Sequence, residues 1–227
     1  MLAKKYKSEL VSISNFIEGI YTLEFRSLGR PYIYRPGQFL HLAIDSSYDG
    51  IGQWPDSRCF SMQSNPDNKN ILLTYAVKGD FTSKMERELR VGFELWLKLP
   101  YGDLFDRNHN QENNVFISGG TGITPFLSLF SHISFNEYIN PRIYLGFRSK
   151  EYNLYQAELS NSFVTDKMLN VIYQDQDGIL DINRIFSENG TTSIYFISGP
   201  PIMINSFRKV LLENNVPEAN IITDDWS

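Results

Sequence analysis

The sequence predicts two units in tandem: an antiparallel β barrel or sandwich, then an α/β unit on a parallel sheet. Three observations predict it. Before about residue 104, short runs rich in aromatic and β-branched residues are separated by turn signals. Beyond residue 114, strand-like apolar runs alternate with helical segments. Between the two, Asp106–Asn114 contains no apolar residue and reads as an interdomain linker or a surface loop. The expected domains are residues 1–105 and 106–227.

The first unit offers six strand-like runs: "KSELVSISNF", "IYTLEFRS", "QFLHLAID", "RCFSMQS", "NILLTYAVK" and "FELWLKLP". "RPG", "YDGIGQ" and "NPDN" supply turns between them. One helix is expected, over Ser83–Leu89, where Ser83 and Glu86 have the spacing of a capping box. In the second unit "VFIS" leads to "PFLSLFSHI", "RIYLGF" to "NLYQAELSNSF", and "LNVIYQ" to "DINRIF". "SIYFISG" leads to "IMINSFRKVLLENN", and "NIITDD" closes the series. Five strands joined by crossover helices imply a parallel sheet covered on both faces, with ligands at the carboxyl ends of its strands.

Composition narrows the function. The 227 residues are 42% apolar and 21% charged, as in an ordinary globular protein. A net charge of −5 with no basic cluster argues against nucleic acid as a partner. The single cysteine, Cys59, excludes a disulfide or a Cys-ligated iron–sulfur cluster within the chain. His41, His109 and His132 lack metal-ligand spacing, so no metal is expected. No run approaches the roughly 20 apolar residues of a membrane span, and "MLAKKYKSEL" lacks the apolar core of a signal peptide. A cytoplasmic location is expected.

"FISGGTGITPFLSLF" draws the eye first, with three glycines in the seven residues Gly119–Pro125. A strand ending in such a turn and opening a helix brings backbone N–H groups close to an anion. Glycine turns alone are common. Their weight comes from company, in one order along the chain: "RPGQF" at Arg35–Phe39, "RCFS" at Arg58–Ser61, "GDFTSKM" at Gly79–Met85 and "YGDLF" at Tyr101–Phe105. "GGTGITP", "GFRS" at Gly146–Ser149, "SGPPIM" at Ser198–Met203 and "DDW" at Asp224–Trp226 follow.

This series resembles the ferredoxin–NADP reductase family of flavin-dependent oxidoreductases, over nearly the whole chain. The resemblance implies a six-stranded antiparallel barrel for FAD and a five-stranded α/β unit for NADH or NADPH. In "RCFS" it implies Arg58 on a flavin phosphate, Phe60 against the isoalloxazine and Ser61 near its N5 atom. Family members usually carry Tyr at the Phe60 position, so stacking is kept and a hydroxyl lost. Tyr75, Val77 and Lys78 would run along the flavin, mainly through backbone. Thr82 and Ser83 would present a helix start to the pyrophosphate, which favours FAD over FMN. In the second unit Gly119, Gly120, Thr121 and Gly122 would cradle the nicotinamide dinucleotide pyrophosphate, with Thr121 and Thr124 lining the nicotinamide pocket and Arg148 on phosphate or ribose. Ser198, Gly199, Pro200 and Met203 resemble a motif whose first residue is often Cys. Asp224 and Trp226 match an acidic–x–aromatic ending in which the acid is usually Glu.

The implied reaction passes a hydride from nicotinamide to FAD, with Ser61, Thr124, Ser198 and Asp224 as its catalytic residues. The electrons would then go to a separate acceptor, a ferredoxin-like protein or an oxygenase component. A stand-alone reductase that releases reduced free flavin is the alternative within the family. A non-catalytic flavin- or nucleotide-binding module is the alternative from another class, and the three substitutions, Tyr to Phe, Cys to Ser and Glu to Asp, would fit it.

Overall fold

The structure, a computed structural model, describes residues 2–45, 47–107 and 109–224. It divides into two compact units, Met1–Asp103 and Leu104–Ser227. The division falls two residues before the expected one, because Leu104 is buried in the core of the second unit and Phe105 packs on Phe116, Phe126 and Phe196.

The first unit is a barrel, which settles the choice between barrel and sandwich. Its strands are β1 (Lys4–Ile17), β2 (Ile20–Ser27), β3 (Phe39–Ala43), β4 (Arg58–Ser61), β5 (Ile71–Ala76) and β6 (Glu94–Tyr101). They form one antiparallel sheet in the order β4-β3-β6-β1-β2-β5. Leu23 and Phe25, Leu40 and Leu42, and Leu95, Leu97 and Leu99 are buried at alternate positions, as a strand with one face on a core requires. The two edge strands approach each other. Past β4, the Gln63 N–H donates to the Leu72 carbonyl (2.8 Å) and Ser64 Oγ accepts from the Leu72 N–H (3.0 Å). These bonds nearly close the sheet and blunt its edges.

Helix α1 (Asp80–Glu88) follows β5. It starts three residues before the predicted Ser83, so Ser83 is not its N-cap. The cap is Gly79, and the closing group comes from inside the helix. Thr82 Oγ1 accepts from the N–H groups of Lys78 (2.9 Å) and Gly79 (3.1 Å) and donates to the Gly79 carbonyl (3.0 Å).

The second unit carries β7 (Asn114–Gly119), β8 (Arg142–Phe147), β9 (Leu169–Tyr173), β10 (Ile194–Ser198) and β11 (Ile221–Thr223). All pairings are parallel, in the order β11-β10-β7-β8-β9. Between them lie α2 (Thr124–Phe130), α3 (Gln156–Ser160), the single turn α4 (Gln174–Asp177), α5 (Ile182–Asn189) and α6 (Pro201–Glu213). Two apolar clusters lie on opposite faces of the sheet. Phe116, Phe126, Leu145 and Phe196 belong to one; Val115, Ile117, Tyr195, Ile197 and Leu211 belong to the other. Burial on both faces explains why β7 and β10 read as unbroken apolar runs. The strand order reverses between β7 and β10, and such a switch point leaves a crevice at the carboxyl ends of its strands. Among the described residues no helix is long and apolar enough to cross a membrane.

Candidate functional site

In the first unit the predicted flavin residues fall on β4, the end of β5 and the start of α1. Arg58 is exposed, and its guanidinium carbon lies 5.1 Å from the centre of the Phe81 ring in the first turn of α1. Its Nη1 donates to Asp56 Oδ1 (2.7 Å) and to the Ser57 carbonyl (2.8 Å). Phe60 is half-buried and meets Tyr75 edge-on, with ring centres 6.0 Å apart. Arg58 thus joins β4 to α1, and Phe60 joins β4 to β5. Ser61, half-buried, stands opposite Phe39. Tyr75 stacks on Tyr21 at 5.4 Å, and burial pushes its phenol well above the ordinary range, with Tyr21 and Glu86 adding to the shift.

The backbone here is partly engaged. The Val77 N–H donates to the Gly19 carbonyl (2.8 Å) and the Lys78 N–H to Thr82 Oγ1. Any backbone contact these two residues make to a ligand is therefore an accepting one. The Ser83 N–H donates to the Gly79 carbonyl (2.9 Å), so Ser83 does not offer the open helix-start N–H expected of it. That place falls to the N–H groups of Asp80, Phe81 and Thr82, which precede the first intrahelical partner. Asp80 adds a carboxylate to the same turn. Arg58 over Phe81 brings a cation to the same turn. Phe81 was not singled out in the sequence, where it lies before the expected helix over Ser83–Leu89.

In the second unit the two glycine turns are packed backbone to backbone. A Cβ on Gly122 would lie 2.5 Å from Gly199 Cα and 2.6 Å from both Gly199 N and the Ser198 carbonyl oxygen. A Cβ on Gly119 would lie 2.9 Å from Met203 Sδ and 3.2 Å from Pro200 Cδ. Gly120 has φ +56°, in the left-handed region that favours glycine, and Gly199 has φ +152°. The turns after β7 and β10 meet at the switch point. Thr121 follows in a 3₁₀ turn over Gly120–Ile123 that runs into α2. Thr124 is buried, and its hydroxyl donates to the Thr121 carbonyl (3.0 Å).

Ser198, at the end of β10, and Asp224, just past β11, are brought together. Ser198 Oγ donates to Asp224 Oδ2 at 3.0 Å, and the Asp224 N–H donates to the Ile197 carbonyl at 2.9 Å. Trp226 lies outside the described residues. Arg148 is exposed past β8, its guanidinium 5.7 Å from the Tyr152 ring centre. The acidic turn α4 is tied to the ends of β8 and β9: the Asp175 N–H donates to the Arg148 carbonyl (3.1 Å) and Asp177 Oδ2 accepts from the Tyr173 N–H (3.1 Å). Among the described residues no cluster of three or more metal-ligating side chains occurs.

Residues 116–209 match the model of the oxidoreductase NAD-binding domain family. The reductase component of propane 2-monooxygenase from Rhodococcus jostii is 27% identical over 218 residues, which cover 86% of this chain and 56% of that protein. The phenol hydroxylase P5 protein of Acinetobacter pittii is 24% identical over 250 residues, covering 98% of this chain and 66% of that one. The chain thus spans less than two thirds of the length of these relatives. Among solved structures, the ferredoxin reductase of carbazole 1,9a-dioxygenase superposes over 100% of this chain and 70% of its own, with a TM-score of 0.75 at 20% identity. The likeness to that structure is one of fold, and it agrees with the barrel followed by a parallel sheet expected from the sequence. "RCFS" forms β4, "GDFTSKM" opens α1, and "GGTGITP" and "SGPPIM" each run from a strand end into a helix.

Proposed function

We propose that the chain is an NAD(P)H-dependent flavin oxidoreductase that binds FAD on its barrel unit, takes a hydride from nicotinamide onto it, and passes the electrons to a separate protein acceptor. The observation that carries this reading is the switch point of the second unit. There two glycine turns pack so closely that no Cβ fits at Gly122, and the Ser198–Asp224 pair stands at the adjoining strand end. Bare backbone at the carboxyl ends of parallel strands is what a dinucleotide pyrophosphate requires. The barrel residues fit the second group equally: Arg58 for a phosphate, the half-buried Phe60 ring for a flat aromatic system, and the start of α1 for a pyrophosphate.

When bound, FAD supplies the hydride acceptor and the route from two-electron to one-electron chemistry. The protein supplies alignment, because hydride transfer needs reacting atoms roughly 3–3.5 Å apart. Thr121 and Thr124 line one side of the nicotinamide pocket, and Gly199, Pro200 and Met203 shape the other. Ser198 and Asp224 orient the nicotinamide end, with the Ser198 proton held on the carboxylate. Ser61 supplies a hydroxyl beside the reacting atom of the flavin. The names of the relatives, reductase components of oxygenases, support an oxygenase component or a ferredoxin-like protein as acceptor. A cytoplasmic location suits an enzyme that draws on NADH.

The test is anaerobic. Purified protein should be yellow, bleach on adding NADH, and recover colour when an acceptor protein is added. A yellow protein that does not bleach would point to a binding module, and turnover only with added free flavin would point to a flavin reductase. Replacing Asp224 with Ala should leave the flavin bound and slow reduction by about tenfold or more, the effect of losing one charge-assisted hydrogen bond. Unchanged reduction in that variant would remove Asp224 from the site.

The favoured donor is NADH. The 2′-phosphate of NADPH is a dianion, and the turn after β9 presents Asp175 and Asp177. A carboxylate repels that phosphate, whereas a ribose hydroxyl can donate to it. Ser149 and Lys150 after β8 oppose this with a donor and a cation, but one flexible Lys recruits less than an uncompensated carboxylate excludes. Catalytic efficiency compared at one ionic strength should favour NADH. A tenfold preference for NADPH, about 1.4 kcal/mol, would instead make Ser149 and Lys150 the phosphate site.

A further inference from the structure

At the carboxyl ends of β7 and β10, Ser118 and Ser198 are partners in the parallel register. Two residues earlier the same register brings Phe116 onto Phe196, with ring centres 5.1 Å apart and planes 10° from parallel. Side chains two apart on a strand share a face, so the two serines form the next rung above the stacked phenylalanines. The rung continues to Asp224 through the hydrogen bond from Ser198. On its other side Ser118 pairs with Leu145, which offers no polar group.

Ser118 is 1% exposed, and its hydroxyl has no hydrogen-bond partner among the described residues. An unpaired buried hydroxyl is unfavourable, and alanine would fill the same place without that penalty. A locally unfavourable residue at a ligand-bearing strand end points to function rather than to packing. Ser198 has one proton, given to Asp224, and its lone pairs are open to a donor. Ser118 is the neighbouring hydroxyl on that rung. Ser198 is nearly as buried, and it is Ser198 rather than Ser118 that carries the bond to Asp224.

We infer that Ser118 is a positioning residue for hydride transfer: when the nucleotide is bound, its hydroxyl turns to donate to Ser198 Oγ and holds Ser198 with its own proton on Asp224. Both serines are buried, so an internal donor rather than water is the partner at hand for the open lone pairs of Ser198. The inference rests on the proposed reading of the second unit as the nicotinamide site.

The test uses the full chain loaded with FAD and anaerobic stopped-flow reduction by NADH. Ser118→Ala should lower the limiting reduction rate about threefold to tenfold, the worth of one net hydrogen bond. The apparent Kd for NADH should stay within about twofold, since positioning rather than adhesion is lost. Thermal stability should be unchanged or higher, because an orphaned buried hydroxyl is removed. Ser118→Cys, which keeps a weaker donor of similar size, should fall between the two rates. Equal rates in wild type and Ser118→Ala would overturn the role of Ser118 alone, and so would a slower rate accompanied by a lower Tm. A wild-type protein that binds flavin but is not reduced by NADH would overturn the underlying reading of the site.

Discussion

Replacing Arg58 with Ala is expected to strip the flavin from the barrel. The variant should fold, but elute largely colourless from gel filtration, with FAD affinity reduced by on the order of 1.5–3 kcal/mol, the value of a hydrogen bond to a charged group. That corresponds to roughly 10- to 150-fold in Kd. Folding should survive because Arg58 contributes little to the barrel itself. It is exposed, and its ion pair with Asp56 is a surface pair whose partner side chain is 76% exposed, a class worth about 0–1 kcal/mol. What Arg58 does contribute is position: it lies over Phe81, at the helix start where Asp80 places a negative charge. Without the guanidinium, a pyrophosphate at that turn would face Asp80 uncompensated.

Arg58→Lys separates charge from geometry. Lysine keeps the cation but not the planar fork, which both stacks on Phe81 and matches phosphate oxygens. An intermediate loss of FAD is expected from fluorescence titration. The same preparations check the cofactor, since extraction of native protein should release FAD. Recovery of FMN alone would mean that the start of α1 holds no pyrophosphate, and retention of FAD by Arg58→Ala would move the phosphate site elsewhere on the barrel.

The barrel was legible because short runs rich in aromatic and β-branched residues are split by turn signals, and its longest central runs alternate. Leu95, Leu97 and Leu99 alternate with Trp96 and Lys98 along β6, and the burial follows them. The parallel sheet was legible for the opposite reason, since β7 and β10 are apolar on both faces and alternate with helical segments. The start of α1 was not. Thr82 and Ser83 are both chemically suited to an N-cap, and sequence spacing favours Ser83, yet Thr82 closes the turn from inside the helix by accepting two backbone N–H groups. Only the fold of residues 78–79 decides between them. In the second unit Ser198 and Asp224 were named from separate motifs, but their hydrogen bond depends on β11 lying beside β10, a pairing of segments 26 residues apart that no local pattern encodes. Ser118 gave no signal, because a serine that closes a strand-like run, as in "VFIS", carries no motif of its own. Its burial and its missing partner are properties of the sheet.

Gly122→Ala is expected to abolish most of the NADH-dependent reduction while leaving the flavin in place. The added Cβ would sit 2.5 Å from Gly199 Cα and 2.6 Å from Gly199 N and the Ser198 carbonyl oxygen. All three neighbours are backbone, so no side chain can swing aside, and the two turns must separate. Overpacking of this kind typically costs about 1–3 kcal/mol, and the displacement lands on Ser198, whose hydroxyl is bonded to Asp224. Misalignment there weakens pyrophosphate binding and nicotinamide placement together, so the rate loss should exceed the loss of thermal stability. The flavin residues lie on the other unit and should keep their cofactor, which makes the visible spectrum an internal control. Gly120→Ala gives the comparison: no atom lies within 4 Å of its Cβ, but its φ of +56° is a left-handed conformation, which costs an L-residue roughly 1–2 kcal/mol. Strain at Gly120 can be relieved by a local turn change, whereas the clash at Gly122 involves both strand ends. Stopped-flow reduction at saturating NADH should therefore rank wild type above Gly120→Ala, and Gly120→Ala above Gly122→Ala. A Gly122→Ala enzyme reduced as fast as wild type would mean that the close approach of the two turns has no part in holding the nucleotide.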